Sequence, residues 1–317
     1  MKLPTFADVE DAYRRIGSYV KQTPVMTSKN LDFITNAKLF FKCENFQLAG
    51  SFKFRGAQNA ISKLSKSDAD MGVATHSSGN FAQALAKAAL YRGISPYIVM
   101  PVNSPTVKKN AVKYYGGKIE YCNPTLKDRE DTLNEIIKKT NAVFIHPYDN
   151  FHVIAGQGTA TYELFKEIED LDYIICPVGG GGLLSGTLLA TEGLSSKTKV
   201  IAAEPKGADD AYRSIKAGEI IPSENPDTVC DGLLTSLGTL TYPIIKKYIY
   251  DIITVDDSYT IQAMKLIWER MKIVVEPSAA ITLGALLQNK GFVNCKVGLI
   301  LSGGNVDLDD LPWITKE

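Results

Sequence analysis

The sequence predicts an α/β fold whose sheets are mostly parallel and twisted, with helices on both faces. Short apolar runs of strand length alternate along the chain with stretches in which apolar residues recur at the helical period. This alternation is typical of parallel strands joined by right-handed crossovers. The predicted strands lie at 72–75, 97–100, 118–121, 143–146, 173–178, 200–204 and 297–301.

An amphipathic helix is predicted at the start of the chain. Thr5 and Asp8 have the spacing of a capping box, in which two side chains bond the first free N–H groups of a helix. The apolar residues that follow fall on one helical face, and they are Val9, Ala12, Tyr13, Ile16 and Val20.

The length and charge of the chain limit its domain number and its partners. Its 317 residues, 45% of them hydrophobic, are enough for two domains of ordinary size. The 35 lysines and arginines balance the 35 aspartates and glutamates, so no net field would attract nucleic acid or an acidic membrane. We therefore expect the partner to be a small molecule.

Cysteine usage and hydropathy predict the cytoplasm as the location. The five cysteines lie far apart without a C-x-x-C pair, which suits a reducing compartment better than a disulfide framework. The N-terminal residues lack the apolar segment of a signal peptide. No run approaches the roughly 18 apolar residues that a membrane span needs.

A run of glycines is the strongest local signal for a ligand site. Gly179, Gly180, Gly181 and Gly182 follow an apolar strand and precede a helical stretch that continues from Leu183. Bare backbone at a strand-to-helix junction can approach a phosphate closely, with N–H groups and the positive end of the helix dipole directed at it. A merely flexible turn is the alternative, but four consecutive glycines favour phosphate binding.

The spacing of these glycines argues against two familiar phosphate motifs. In a dinucleotide-binding G-x-G-x-x-G motif the third glycine would stand at Leu184 or Ser185. A P-loop would need a lysine after Gly186, where the chain has Thr187. Glu204, at the end of the next strand, could imitate a ribose-binding acid, which leaves an NAD-linked oxidoreductase as an alternative.

A lysine between two aromatic residues is a second candidate. Lys53 follows Phe52 and precedes Phe54, and partial desolvation there would lower its pKa. The neutral amine would then be available for Schiff-base chemistry. Since most lysines are solvated surface charges, this interpretation depends on neighbouring motifs.

Two polar turns that directly follow strands supply such motifs. Ser77, Ser78, Gly79 and Asn80 come after one predicted strand, and Ser302 comes after another. Hydroxyls, an amide and backbone N–H groups at a helix start can form a cradle for a carboxylate and a ring oxygen. Parallel sheets keep their ligands beyond the carboxyl ends of the strands, where these turns lie.

Together these motifs resemble the serine/threonine dehydratases and serine racemases, which are pyridoxal-phosphate (PLP) enzymes of fold type II, similar to the tryptophan synthase β subunit. The resemblance covers nearly the whole chain, in the family's order. Its motifs lie at 51–56, 77–80, 155–158, 179–183, 204–205 with 208–210, 276–279 and 302–307.

The resemblance implies roles for residues around the PLP ring. Lys53 would carry PLP as a Schiff base and remove the substrate Cα proton. Phe52 and Gly232 would lie against the two faces of the ring, Asn80 would bond the ring hydroxyl, and Ser302 would bond the pyridine nitrogen.

It also implies how the phosphate and the substrate are held. Gly179 to Leu183 would bind the phosphate, and Glu276 would be an acid near the ring. Ser77, Ser78 and Gly79 would take the substrate carboxylate. Ser78 would in addition be the second acid/base, on the face opposite Lys53.

A divalent cation, Mg²⁺, Ca²⁺ or Mn²⁺, is implied at Glu204, the carbonyl of Ala208 and Asp210, since hard oxygen ligands suit these ions. By the same resemblance, residues 1–71 with 150–317 would form a large PLP-binding domain. Residues 72–149 would form a small mobile domain, and the enzyme would be a homodimer.

The activity implied is removal of water and ammonia from L-serine or L-threonine, giving pyruvate or 2-oxobutyrate, with side racemisation of serine. Serine racemisation as the main activity and 3-hydroxyaspartate dehydration stay open, as does a catalytically inactive sensor. Phe81 stands where the family usually has histidine, so the family's substrate preference does not carry over to this chain.

Overall fold

The computed structural model describes residues 2–77, 79–104 and 106–314. The strands within them are β1 (Val25–Met26), β2 (Lys38–Cys43), β3 (Val73–His76), β4 (Pro96–Pro101), β5 (Lys118–Cys122), β6 (Val143–Phe144), β7 (Tyr173–Pro177), β8 (Lys199–Pro205), β9 (Asp251–Val255) and β10 (Lys296–Leu301).

The α-helices are α1 (Phe6–Ile16), α2 (Lys29–Thr35), α3 (Lys53–Ser62), α4 (Lys66–Met71), α5 (Asn80–Arg92), α6 (Thr106–Tyr114), α7 (Leu126–Thr140), α8 (Phe151–Glu167), α9 (Gly182–Leu194), α10 (Asp210–Ala217), α11 (Thr241–Tyr248), α12 (Asp257–Met271) and α13 (Pro277–Gln288). Short 3-10 turns lie at Glu44–Phe46, Leu48–Gly50, Lys206–Ala208 and Asp231–Leu233.

The strands form two sheets. The larger has the order β1-β2-β10-β7-β8-β9, and all its pairs are parallel except β1 with β2. The smaller has the order β5-β4-β3-β6 and is parallel throughout. The predicted α/β class with mostly parallel sheets is therefore confirmed.

Alternate residues of the strands bury opposite faces of the larger sheet. Phe41 on β2 lies beside Leu299 on β10, and both belong to a core formed with α12 and α13. The neighbouring Phe40 and Ile300 face the other way, into a core with α8 and α9. Because side chains alternate along a strand, one sheet can carry a helical layer on each face.

The smaller sheet is covered in the same way. Ile98 and Met100 pack on one face with α3 and α5, and Val99 packs on the other with α7. The division into a large and a small mobile domain stays a prediction. No helix in the described ranges is both long and apolar enough to cross a membrane.

The predicted first helix is present as α1. The backbone N–H of Thr5 donates to Asp8 Oδ2 at 2.8 Å, as a capping box requires. Val9, Ala12 and Ile16 are buried. The helix ends at Ile16, so Val20, which was expected on the same face, lies beyond it.

All seven predicted strands are present, although β6 ends at Phe144 rather than at residue 146. The sequence prediction missed β1, β2 and β9. In β2 the strand pattern is obscured by Lys42, a charged residue that is fully buried in the structure. Such a position is tolerated only where the charge has a buried partner.

Arg55 on α3 forms the centre of a buried ion-pair network that includes this lysine. Arg55 donates from Nε to Glu44 Oε2 at 2.7 Å and from Nη1 to Glu163 Oε1 at 2.6 Å. Lys42 Nζ donates to Glu163 Oε2 at 2.7 Å. Although burial alone would raise the pKa of Glu44, Arg55 holds that pKa below its ordinary value. Two cations thus neutralise two carboxylates, and together they tie β2, α3 and α8.

Replacing Arg55 with methionine should strongly destabilise the protein, because two buried carboxylates would lose their main donor. We expect the free energy of unfolding to fall by about 3–5 kcal/mol, measured by urea denaturation. Arg14→Met is the matched control, since Arg14 pairs with Asp11 on the exposed face of α1 and should matter little. Equal stability of the two variants would contradict a structural role for the network.

Candidate active site

A cavity of about 330 Å³ lies at the carboxyl ends of the strands and is bordered by residues from both sheets. This is where open α/β sheets bind their ligands. Predicted site residues that line it are Phe52, Lys53, Ser77, Gly79, Asn80, Gly179, Gly180, Gly181, Gly182, Leu183, Gly232, Glu276 and Ser302. Ser78 lies outside the described residues.

Lys53 is the first residue of α3, and its half-buried side chain lines this cavity. Burial lowers the pKa of Lys53 to about 8, and the negative charge of Glu276 opposes that shift. Lys53 Nζ donates to the carbonyl oxygen of Pro147 at 3.1 Å. The uncharged fraction of the amine near neutral pH is therefore far larger than that of an ordinary lysine, which favours a role as nucleophile or base.

One of the two aromatic rings beside Lys53 is the one that the sequence suggested, and the other is not. The ring centroid of Phe52 lies 5.1 Å from Lys53 Nζ, and that of Phe81 on α5 lies 5.8 Å away. Phe54 instead packs edge-on against Tyr91 in the core of the smaller sheet. The expectation for Phe54 was wrong because successive residues of a helix point in different directions.

The glycine loop connects β7 to α9, and close contacts explain its composition. A Cβ at Gly180 would lie 2.4 Å from the ring of Tyr148, and one at Gly179 would lie 2.8 Å from Leu233 Cα. Gly181 has a φ of +85°, which side chains disfavour. The loop thus brings bare backbone and the N-terminus of a 13-residue helix to the cavity, and this fits a phosphate group.

Asn80 and Glu276 form a polar edge beside Lys53. Asn80 Nδ2 donates to Glu276 Oε1 at 2.8 Å, while Asn80 Oδ1 accepts from Asn305 at 2.9 Å. Burial raises the pKa of Glu276 to about 7, and the charge of Asp231 adds to the rise. The other oxygen of Glu276 is buried and accepts no hydrogen bond of good geometry from the described residues. A polar ligand group would satisfy this oxygen.

These features fit PLP, which needs an amine, a phosphate cradle and polar groups around an aromatic ring. A family model described as pyridoxal-phosphate dependent enzyme matches residues 16–303. The chain belongs to this family of PLP-dependent enzymes. The alternative of an NAD-linked oxidoreductase is therefore wrong.

Similar proteins agree on the cofactor class and differ in activity. The chain is 49% identical to the β-hydroxyaspartate dehydratase of Paracoccus denitrificans, over 99% of this chain and 100% of that protein. It resembles the crystal structure of Dictyostelium discoideum serine racemase, with TM-score 0.92, 49% identity and coverage of 96% and 99%. It also resembles a threonine deaminase from T.th., with TM-score 0.92, 39% identity and coverage of 96% and 99%. The fold of this PLP-dependent enzyme is type II, as predicted.

Several residues of the cavity were missed by sequence reasoning. His76, Lys108, Arg129, Tyr148 and Asp231 also line it. Lys108, Arg129, Tyr148 and Asp231 carry no motif of their own and come from separate parts of the chain, whereas His76 directly precedes the polar turn at Ser77. Asn305 was part of a recognised motif, and its bond to Asn80 could have been anticipated only from the fold.

The three predicted cation ligands lie at the end of β8 and the start of α10. The Glu204 carboxylate accepts from the backbone N–H groups of Ala211 and Tyr212 at 2.7 and 2.8 Å. Both oxygens of Asp210 are buried and accept no hydrogen bond of good geometry from the described residues. Ala208 ends the 3-10 turn just before α10.

Burial makes this place unfavourable for carboxylates without a counter-charge. It raises the pKa of Glu204 to about 8 and that of Asp210 to about 7. Two such carboxylates and a carbonyl suit a hard cation. No cluster of three or more histidine, cysteine, aspartate or glutamate side chains that could hold a metal occurs in the described ranges. The cation stays a prediction.

Replacing Gly180 with alanine should weaken PLP binding, because the new methyl group would meet the Tyr148 ring and displace the loop. We expect the affinity for PLP to fall by about tenfold or more, measured by fluorescence titration of the cofactor-free protein. Gly291→Ala is the control, since its Cβ would meet only Asn289 Oδ1, at 3.2 Å. Unchanged affinity in Gly180→Ala would show that the loop does not hold the phosphate.

Proposed function

We propose that this PLP-dependent enzyme removes water and ammonia from a 3-hydroxy-L-amino acid, with L-serine and L-threonine as substrates. The observation that carries the proposal is the desolvated amine of Lys53 in the cavity, whose lowered pKa suits it to act as a base. It shares one cavity with the glycine loop and with the polar turn at Ser77. The relatives that deaminate hydroxy-amino acids support the same reaction type.

Bound PLP supplies an electron sink that acidifies the Cα–H bond of an amino acid. In this proposal Phe52 and Gly232 lie against the ring, Asn80 and Ser302 bond its polar atoms, and Glu276 lies beside it. The glycine loop, from Gly179 to Leu183, holds the phosphate through backbone N–H groups.

The chain's own groups then move the proton and orient the substrate. Ser77, Ser78 and Gly79 hold the substrate carboxylate, and this fixes the Cα–H bond toward Lys53. The Lys53 amine takes the Cα proton, and the Cβ–O bond breaks with release of water. Water later hydrolyses the resulting imine, so that L-serine yields pyruvate and ammonia, and L-threonine yields 2-oxobutyrate and ammonia.

3-Hydroxyaspartate dehydration is a second candidate, favoured by a specific observation. The cavity contains two cationic side chains besides Lys53, which are Lys108 and Arg129. L-Serine offers a single carboxylate to these side chains, whereas 3-hydroxyaspartate offers two. The relative from Paracoccus denitrificans carries this activity in its name.

Racemisation of serine is proposed as a side reaction. Racemisation would require that the proton removed by Lys53 from one face of Cα be replaced by a proton delivered to the opposite face. We assign that donor to Ser78 on the family resemblance. Phe81, in place of the usual histidine, weakens the activation of this hydroxyl, so elimination should predominate.

A divalent cation bound by Glu204, Asp210 and the Ala208 carbonyl is also proposed, as Mg²⁺, Ca²⁺ or Mn²⁺. Support comes from the two buried carboxylates, which lack a cationic side chain close enough to form an ion pair among the described residues. A small mobile domain at 72–149, a homodimer and a cytoplasmic location complete the proposal. Each of these three depends on the family resemblance or on composition.

Incubation of the purified enzyme with L-serine and L-threonine should release ammonia and the corresponding keto acids, measured by a coupled dehydrogenase assay. Lys53→Ala should lose about 10²- to 10⁴-fold in kcat. Lys63→Ala, which changes an exposed lysine at the end of the same helix, should keep full activity. No keto acid from any 3-hydroxy-amino acid would overturn the proposal.

A variant of Ser78 separates elimination from racemisation when pyruvate and D-serine are both measured. Ser78→Ala should abolish D-serine, measured by chiral chromatography, and should retain appreciable pyruvate formation. If the variant still produces D-serine at the wild-type rate, another residue is the second proton donor.

Addition of Mg²⁺, Ca²⁺ or Mn²⁺ to chelator-treated enzyme should raise its Tm by several degrees, because a ligand that binds only the folded state stabilises it. Asp210→Asn should remove this response. Asp209→Asn is the matched control, because Asp209 already pairs with Arg213. A wild-type Tm that is insensitive to all three cations would contradict the proposed site.

A further inference from the structure

Lys108 and Asp231 form an ion pair across the cavity. Lys108 lies on α6, beside the smaller sheet, and its Nζ donates to Asp231 Oδ2 in the 3-10 turn Asp231–Leu233. Both residues line the cavity. The pair thus connects two parts of the chain that are distant in sequence.

The two partners differ in their exposure to solvent. The Lys108 side chain is 10% exposed, whereas that of Asp231 is 49% exposed. A buried cation needs a counter-charge at all times, because desolvating an unpaired charge is costly. A half-exposed carboxylate, in contrast, can turn to water at little cost. The carboxylate is therefore the exchangeable member of the pair.

Lys108 also lies next to the polar turn that we assign to the substrate. Its Nζ is 3.8 Å from the position that a Cβ on Gly79 would occupy. Arg129 lines the same cavity, and its Nε is buried without a hydrogen-bond partner among the described residues. The cavity thus contains two cationic side chains besides Lys53, of which Lys108 lies beside Gly79 and is neutralised by Asp231.

Building on the proposed function, we propose that Lys108 is a specificity-determining residue that binds a second carboxylate of the substrate, and that this carboxylate replaces Asp231. The preferred substrate class is then a 3-hydroxy-amino acid with a carboxylate on Cβ. Exchange of one carboxylate for another keeps the ammonium paired throughout. A hydroxymethyl substrate cannot make this exchange, so for it the Lys108–Asp231 pair stays closed.

Three variants test this assignment. The quantity compared is a specificity ratio, which is kcat/KM for 3-hydroxyaspartate divided by kcat/KM for L-serine. Lys108→Met should lower the ratio by about 10- to 100-fold, the usual effect of losing a hydrogen bond between charged groups. Lys108→Arg should restore most of it. Lys109→Met removes a charge from the same helix outside the cavity and should leave the ratio unchanged.

Asp231→Asn should raise this specificity ratio, whereas Lys108→Met should lower it. It removes the competitor of the second carboxylate and keeps Lys108 in place, so KM for 3-hydroxyaspartate should fall. This variant is nearly isosteric, and it keeps the proposal testable if Lys108→Met does not fold.

Binding without turnover gives an independent readout. L-Aspartate and L-asparagine have nearly the same shape and lack the hydroxyl that leaves. Calorimetry on the PLP-loaded enzyme should show tighter binding of L-aspartate, and Lys108→Met should remove that preference. The Lys109→Met control should keep it.

If Lys108→Met lowers kcat/KM equally for both substrates, the proposal is overturned. Lys108 would then bind the α-carboxylate that the substrates share, or would have a purely structural role. A lower ratio in Asp231→Asn would overturn it as well. Failure of the wild type to deaminate any hydroxy-amino acid would refute the proposed function alone. The comparison of L-aspartate with L-asparagine would still decide the role of Lys108.

Discussion

The buried network around Arg55 fixes the frame in which the site is built. Its guanidinium donates to Glu44, just after β2, and to Glu163 on α8, so α3 is held against both. Lys53 opens the same helix. Because a planar guanidinium binds two carboxylates in a defined geometry, the start of α3 has little freedom to shift. The position of the amine thus depends on charges that lie outside the cavity.

The segment between the smaller sheet and α8 supports the other side of the site. The Tyr148 ring packs on Gly180, where any side chain would collide with it. The next residue, Asp149, accepts hydrogen bonds from the backbone N–H groups of Thr239 and Leu240 at 2.9 and 2.7 Å. These contacts join the glycine loop to the start of α11. A phosphate cradle of bare backbone can hold its shape because the surrounding side chains are packed against it.

Burial acts in opposite directions on the two titratable groups at the centre of the cavity. It lowers the pKa of Lys53 to about 8 and raises that of Glu276 to about 7. Both shifts favour the uncharged form, since a low dielectric penalises charge of either sign. The charge of Glu276 limits the shift of Lys53, whereas the hydrogen bond from Asn80 and the charge of Lys108 limit the shift of Glu276. A base and an acid near neutrality therefore arise from the same desolvated environment.

The sequence by itself determined the α/β class, the first helix, seven strands, Lys53 and the glycine loop, because each is written in local periodicity or in a contiguous motif. Only the tertiary structure decided that Phe81 rather than Phe54 faces Lys53. It also decided that Lys42 is buried in β2, and that Lys108 forms an ion pair with Asp231, which is 123 residues away in the sequence. Such contacts depend on how helices pack on two sheets, and local patterns do not encode the distance between residues far apart in the chain.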